Sequence, residues 1–209
     1  MFNKPFFTNY FKAISKGLDS SVYAISAKKE EGEIFFEKVQ KKLIHLKATK
    51  QKIYFLGNGA SAAFANHMAL DFSKNGGINA KSLSDSAMLT ALSNDYSYDQ
   101  AMLEFLKIEG VSKEDLIITI SSSGNSPNII NVLKHCKENN IQTLALSGLK
   151  ANNKSISLAD YSIYVPMKTY GMVECIHQIF LHLLLDESMK VFEWSRSDFQ
   201  NMNASDFTL

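Results

Sequence analysis

Two loops and two helix faces hold most of the residues whose types and spacing could do chemistry. The first loop is Gly57-Asn58-Gly59-Ala60-Ser61-Ala62, which follows the apolar run Ile53–Leu56 and opens a helical stretch. The second is Ser121-Ser122-Ser123-Gly124-Asn125-Ser126-Pro127, which follows the apolar run Leu116–Ile120. It too opens a helical stretch, with Ser126 placed as N-cap and Pro127 at the first helical position. Unpaired backbone N–H groups and the helix dipole make such a terminus an anion site. The hydroxyls of Ser121, Ser122, Ser123 and Ser126 can add donors. No Lys or Arg lies in the loop, so an anion there would be held by neutral groups.

The ionisable residues fall on helices. His67 and Asp71 are four apart and share a face. An almost wholly apolar helix near the end carries Glu174, His177, Gln178 and His182. At about 100° per residue, His177 and His182 flank Glu174 and lie about 140° apart. The two rings cannot face one site, but Glu174 and either of them can. A carboxylate in an apolar helix needs a partner: a cation, a protonated His, a metal or a ligand hydroxyl.

Each of these has a plainer reading. A polar turn with an ordinary cap accounts for either loop alone. Two such loops at the ends of different strands point to a ligand site. The first loop also fits GxGxxA, a dinucleotide fingerprint, which calls for an acid about 20 residues on. Asp85 is the nearest acid, and this reading leaves the second loop unexplained. A nicotinamide enzyme is therefore the distant alternative. His45 and His135 are assigned to the core or the surface. Asp95, after Asn94 in a turn, has capping as its plain role.

The elements that must position these groups follow from periodicity. Residues 6–50 read as helix throughout, with Gly17 and Gly32 as breaks, and with a face that must be buried on the domain body or a partner. From there strand and helix alternate. Strands are expected at Ile53–Leu56, Ala80–Leu83, Leu116–Ile120, Thr143–Leu146 and Tyr161–Val165. Helices are expected at Ser61–Lys74, Ala87–Leu92, Tyr98–Leu106, Ser126–Glu138 and Gly171–Val191, with a helical turn at Ala151–Leu158. Five alternations predict an α/β fold: a three-layer αβα sandwich around a five-stranded parallel sheet, with ligands beyond the carboxyl ends of the strands. The expected division is a helical arm over 1–50, a domain over 51–195 and a loose polar tail over 196–209.

Composition narrows the partners. The chain has 209 residues, 45% of them apolar, which suits one core and an added arm. Its formal charge is +1 with no long basic run, so nucleic acid is not expected. No apolar run reaches the roughly 20 residues of a membrane span, and the start lacks a secretory pattern. Cys136 and Cys175 lie in helical patterns without CxxC spacing and read as reduced core residues of a cytoplasmic protein.

The order GNGASA, Asn66-His67, Asn94-Asp95, SSSGNSPN resembles the SIS (sugar isomerase) family, over about residues 30–192. The branch it is most similar to is the phosphoheptose isomerases. The resemblance implies a flavodoxin-like five-stranded sheet, aldose–ketose isomerisation of a sugar phosphate and a homotetramer built partly through the N-terminal helices. The substrate it implies is sedoheptulose 7-phosphate, converted to a heptose 7-phosphate for surface-polysaccharide synthesis. It implies that Ser121, Ser122, Ser123, Asn125 and Ser126 hold the phosphate, with Asn58, Gly59, Ser61, Asn94 and Asp95 near the sugar. It further implies zinc or another divalent metal on His67, Asp71, Glu174 and His182, with His182, Glu174 and Asp71 moving protons. Three positions depart from the family pattern: Asp71 stands for Glu, Glu174 for Gln, and Gly171 for an acid. Those departures leave a second class open, a non-catalytic phosphosugar-binding or protein-binding module on the same fold.

Overall fold

The structure, a computed structural model, describes residues 4–189. The chain runs α1 (Lys4–Asp19), β1 (Val22–Ile25), β2 (Lys28–Glu30), α2 (Gly32–Thr49), β3 (Ile53–Gly57) and α3 (Ala60–Lys74). It continues through β4 (Ala80–Ser82), α4 (Ser86–Asp95), α5 (Tyr98–Ile108), β5 (Leu116–Ser121), α6 (Pro127–Glu138) and β6 (Gln142–Gly148). The last elements are α7 (Lys154–Leu158), β7 (Tyr161–Val165) and α8 (Tyr170–Met189). The expected tail and the last residues of the final helix lie outside the described residues.

The five expected strands pair in parallel as β4-β3-β5-β6-β7. Their central members are buried along their whole length, as a parallel sheet covered on both faces requires. One apolar cluster packs α2, α3 and α8 on one face of the sheet. A second packs α5 and α6, with Leu92 of α4, on the other. The three layers are those read from the sequence.

The arm is where the structure departs from expectation. Residues 6–50 are not one helical stretch, because β1 and β2 form a hairpin between α1 and α2. β1 then pairs antiparallel with β7, so the sheet has seven strands rather than five, in the order β2-β1-β7-β6-β5-β3-β4. The two-residue turn places Ser26 at φ 49° and Ala27 at φ 61°. That geometry normally calls for Asn or Gly. With Ser-Ala in the turn, the usual hairpin signal is missing from the sequence.

The strand order sets the ligand site. The chain passes from β3 outward to β4, then returns to place β5 on the other side of β3. The switch point lies between β3 and β5, where Gly57 stands opposite Ile120. Both loops therefore leave the sheet side by side at the place where open α/β folds bind ligands.

Candidate active site

The first loop owes its tightness to Gly57. A Cβ there would lie 2.5 Å from the Ser61 carbonyl oxygen, so α3 can start directly above the strand only over a glycine. The second loop is fastened from behind. Asn153 fills the space where a Cβ of Gly124, at φ +61°, would sit. The Ser155 hydroxyl and backbone N–H both donate to the Gly124 carbonyl, at 2.9 and 3.0 Å. Ser126 occupies the N-cap position with Pro127 behind it, but its hydroxyl makes no cap. It turns to the Ser121 hydroxyl at 3.2 Å instead.

Between the loops lies a cavity of about 120 Å³ lined by Asn58, Ser61, Ser121, Ser122, Ser123, Ser126, Ile120, Tyr170 and Glu174. Its wall contains no Lys or Arg. The Ser122 Oγ is buried with no hydrogen-bond partner. An orphaned hydroxyl beside a helix N-terminus suits an anion with oxygens to share. Glu174, half-buried in the second turn of α8, finds its polar surroundings here.

A second group lies on the adjoining faces of α3 and α8. The His67 Nε2 is 3.3 Å from an Asp71 carboxylate oxygen. The ring of His182 lies 5.4 Å from that of His67, centroid to centroid. One ligand atom from each of His67, Asp71 and His182 falls within 4.8 Å of the others. Two imidazoles and a carboxylate are a donor set that zinc accepts, and they can close round one ion with small side-chain shifts. Gln178 brings its Nε2 within 2.9 Å of the His182 Nε2 and leaves a buried Oε1 unpartnered.

The structure divides the residues expected at one site. Glu174 is not in the histidine cluster. It and His182 are eight residues apart, about 12 Å along one helix axis, and here they line different groups. His177 faces the sheet: it is fully buried and its Nε2–H donates to the Ser147 carbonyl at 3.1 Å. Burial pulls its pKa down to about 4, so it is held neutral. Asn94 and Asp95 sit on the exposed end of α4, where the Asn94 amide donates to the Asp95 carboxylate at 3.0 Å. Asp95 ends a helix and caps none. Asn125 is exposed and fastens its own loop, accepting from the Lys154 N–H at 3.0 Å. Gly59 lines a neighbouring cavity, not the serine pocket. Asp85, the acid that a dinucleotide site would need, caps α4 through the Met88 N–H. Cys136 is buried as expected, its thiol pushed up to about 12, but Cys175 is exposed and not a core residue.

Three residues went unassigned in the sequence: Tyr170, which lines the pocket, and Asn128 and Tyr98, which hydrogen-bond Asn58 in its wall. Asn128 could have been found, because it puts a buried amide on the apolar face of α6. Tyr98 and Tyr170 carry no such signal, since each is a half-exposed aromatic at the start of a helix.

Residues 18–148 match the SIS domain profile. The chain belongs to the SIS domain family. Its SIS relatives include the phosphoheptose isomerase of Helicobacter pylori (strain Shi470), 34% identical over 150 residues, or 69% of this chain and 77% of the relative. The phosphoheptose isomerase of Aneurinibacillus thermoaerophilus is 36% identical over 154 residues, or 71% and 77%. Among solved SIS structures, a phosphoheptose isomerase from Neisseria gonorrhoeae superposes with a TM-score of 0.73 at 24% identity, covering 87% of this chain and 97% of that one. The profile begins inside the N-terminal arm, in keeping with the arm's share in the SIS sheet.

Proposed function

We propose that this chain is an aldose–ketose isomerase converting sedoheptulose 7-phosphate to a heptose 7-phosphate for surface-polysaccharide synthesis. We further propose that it works as a homotetramer with a divalent metal, zinc by the chemistry of its donors. The observation that carries the reading is the double use of α8. This one helix delivers Glu174 to the serine pocket and His182 to His67 and Asp71.

Isomerisation moves a proton between adjacent carbons through an enediol. It needs a base at carbon, an acid at oxygen and stabilisation of the negative charge between them. The phosphate is assigned to Ser122, Ser123 and Ser126, with the sugar beside Asn58 and Ser61. Glu174 then meets sugar hydroxyls, because its carboxylate would repel the phosphate. His182 and a carboxylate, Asp71 or Glu174, take the proton from C1 of the ketose and return it to C2, while the hydroxyl proton moves in the same sense, off O1 and onto O2. A metal on His67, Asp71 and His182 would supply Lewis-acid polarisation of the sugar oxygens. Glu174, from this protomer or from a second one, would complete the set.

A tetramer fits the surface. Phe6, Phe7 and Phe11 on α1, Leu70 on α3, and Ile179 and Leu183 on α8 are all exposed. Apolar faces of this kind are covered by partners.

The test is to incubate the purified, zinc-loaded chain with sedoheptulose 7-phosphate and follow the aldose by NMR. Turnover that a chelator removes and zinc restores is the expected result. Tight binding without turnover would support the non-catalytic phosphosugar-binding module instead.

A further inference from the structure

Asn58 separates the serine pocket from a neighbouring cavity of about 110 Å³ lined by Tyr98, Leu83, Leu89 and Met102. Its side chain takes part in a closed set of hydrogen bonds. The Asn58 Nδ2 donates to the Asn128 Oδ1 at 3.0 Å, and the Asn128 Nδ2 donates to the Asn58 Oδ1 at 2.9 Å. The Tyr98 hydroxyl donates to that same Asn58 Oδ1 at 2.7 Å.

One backbone group sets the sense of the whole chain. The Ile129 N–H donates to the Asn128 Oδ1 at 3.0 Å. Turning the Asn128 amide over would bring its NH2 against that N–H, donor against donor. The Asn128 Nδ2 must therefore face Asn58, and the atom it meets must be the oxygen. An Asn side chain has two N–H donors and one acceptor oxygen. In Asn58 the oxygen accepts twice and one N–H is used, which leaves one N–H. Asn128 is only 2% exposed, so water does not compete for its end of the amide pair.

We propose that Asn128 and Tyr98 are positioning residues. They hold the Asn58 amide in one sense, so that its remaining N–H is offered to the sugar in the serine pocket. This rests on the sugar-phosphate reading above. It adds that two residues that do not line the serine pocket fix which atom Asn58 presents. It also explains why two loops on different strands keep their spacing: one amide pair ties Asn58 of the first to the start of α6 behind the second.

The test is a double-mutant cycle on sedoheptulose 7-phosphate binding, read by calorimetry. Tyr98→Phe removes one O–H from a half-exposed ring. It should weaken binding about 5-fold, the scale of one hydrogen bond. In an Asn58→Ala background the same substitution should cost nothing further, because Tyr98 acts through Asn58. An equal loss in both backgrounds would mean that Tyr98 acts by itself and would overturn the proposal. Asn128→Ala is read in the same cycle, provided it melts with the wild type. A second readout needs no sugar. The side-chain NH2 resonances of Asn58 in a 15N spectrum should move in Tyr98→Phe, while those of surface amides stay. If they do not move, the hydrogen-bonded chain is absent and the proposal fails. If they move but the wild type binds no sugar phosphate, the functional reading fails while the positioning of Asn58 stands.

Discussion

The serine pocket and the histidine cluster share α8 but are built on opposite plans. The pocket is made by backbone: two strand ends side by side, two tight turns and a helix N-terminus, all within one protomer. Its hydroxyls are neutral, and one of them, the Ser122 Oγ, is buried and unpartnered. The cluster is made by side chains alone. His67 is exposed, and the face around it carries Phe64, Ile179 and Leu183. The pocket has the rigidity that binding a phosphate needs, since strand ends hold position better than surface side chains. The cluster has the ligands and titratable groups that chemistry needs, on a surface that an apolar partner would close. In the reading proposed above, the pocket binds the phosphate, while the cluster holds the metal and His182.

Metal binding should break this comparison most sharply. His67→Ala should lose zinc far beyond the roughly 10–100-fold cost of losing a second-shell partner. Phosphate binding in the serine pocket should stay within about 2-fold of the wild type, since the variant removes no hydrogen bond there. Titration of each by calorimetry checks both halves, and joint loss would merge the two regions into one.

His177 provides a control on the same helix, serving neither region. Its neutral ring is kept down to about pH 4 in the fold, against 6.5 unfolded. Below 6.5 the unfolded chain takes up the proton first, so stability falls as pH drops through that window, by on the order of 3 kcal/mol at its foot. His177→Gln should flatten this acid limb of a urea-denaturation series. An unchanged limb would place the titrating group elsewhere.

The smallest effect belongs to single serines. Ser123→Ala should weaken sugar-phosphate binding by ~1–2 kcal/mol, the scale of a hydrogen bond to a charged group. Unchanged affinity would remove Ser123 from the phosphate.

The parallel core was legible in the sequence because it repeats. Apolar runs such as Ile53–Leu56 and Leu116–Ile120, closed by glycine or serine and followed by a helix, announce a covered parallel strand. The β1–β2 hairpin was not legible, because Ser26 and Ala27 adopt positive φ without the Asn or Gly that marks such a turn. In the site, helix geometry separated His177 from His182 before any coordinates were known. The places of Asn94, Asp95 and Asn125 were illegible, because a motif names residues without saying which way a loop turns them. Asn125 faces its own loop, and its amide is spent there.

The division of labour between the two regions is tested most directly by measuring binding and turnover on one variant, His182→Ala. The prediction is that isomerisation of sedoheptulose 7-phosphate is abolished, while the folded chain still binds that sugar phosphate within a few-fold of the wild type. Retained turnover, or loss of binding together with turnover, would contradict it.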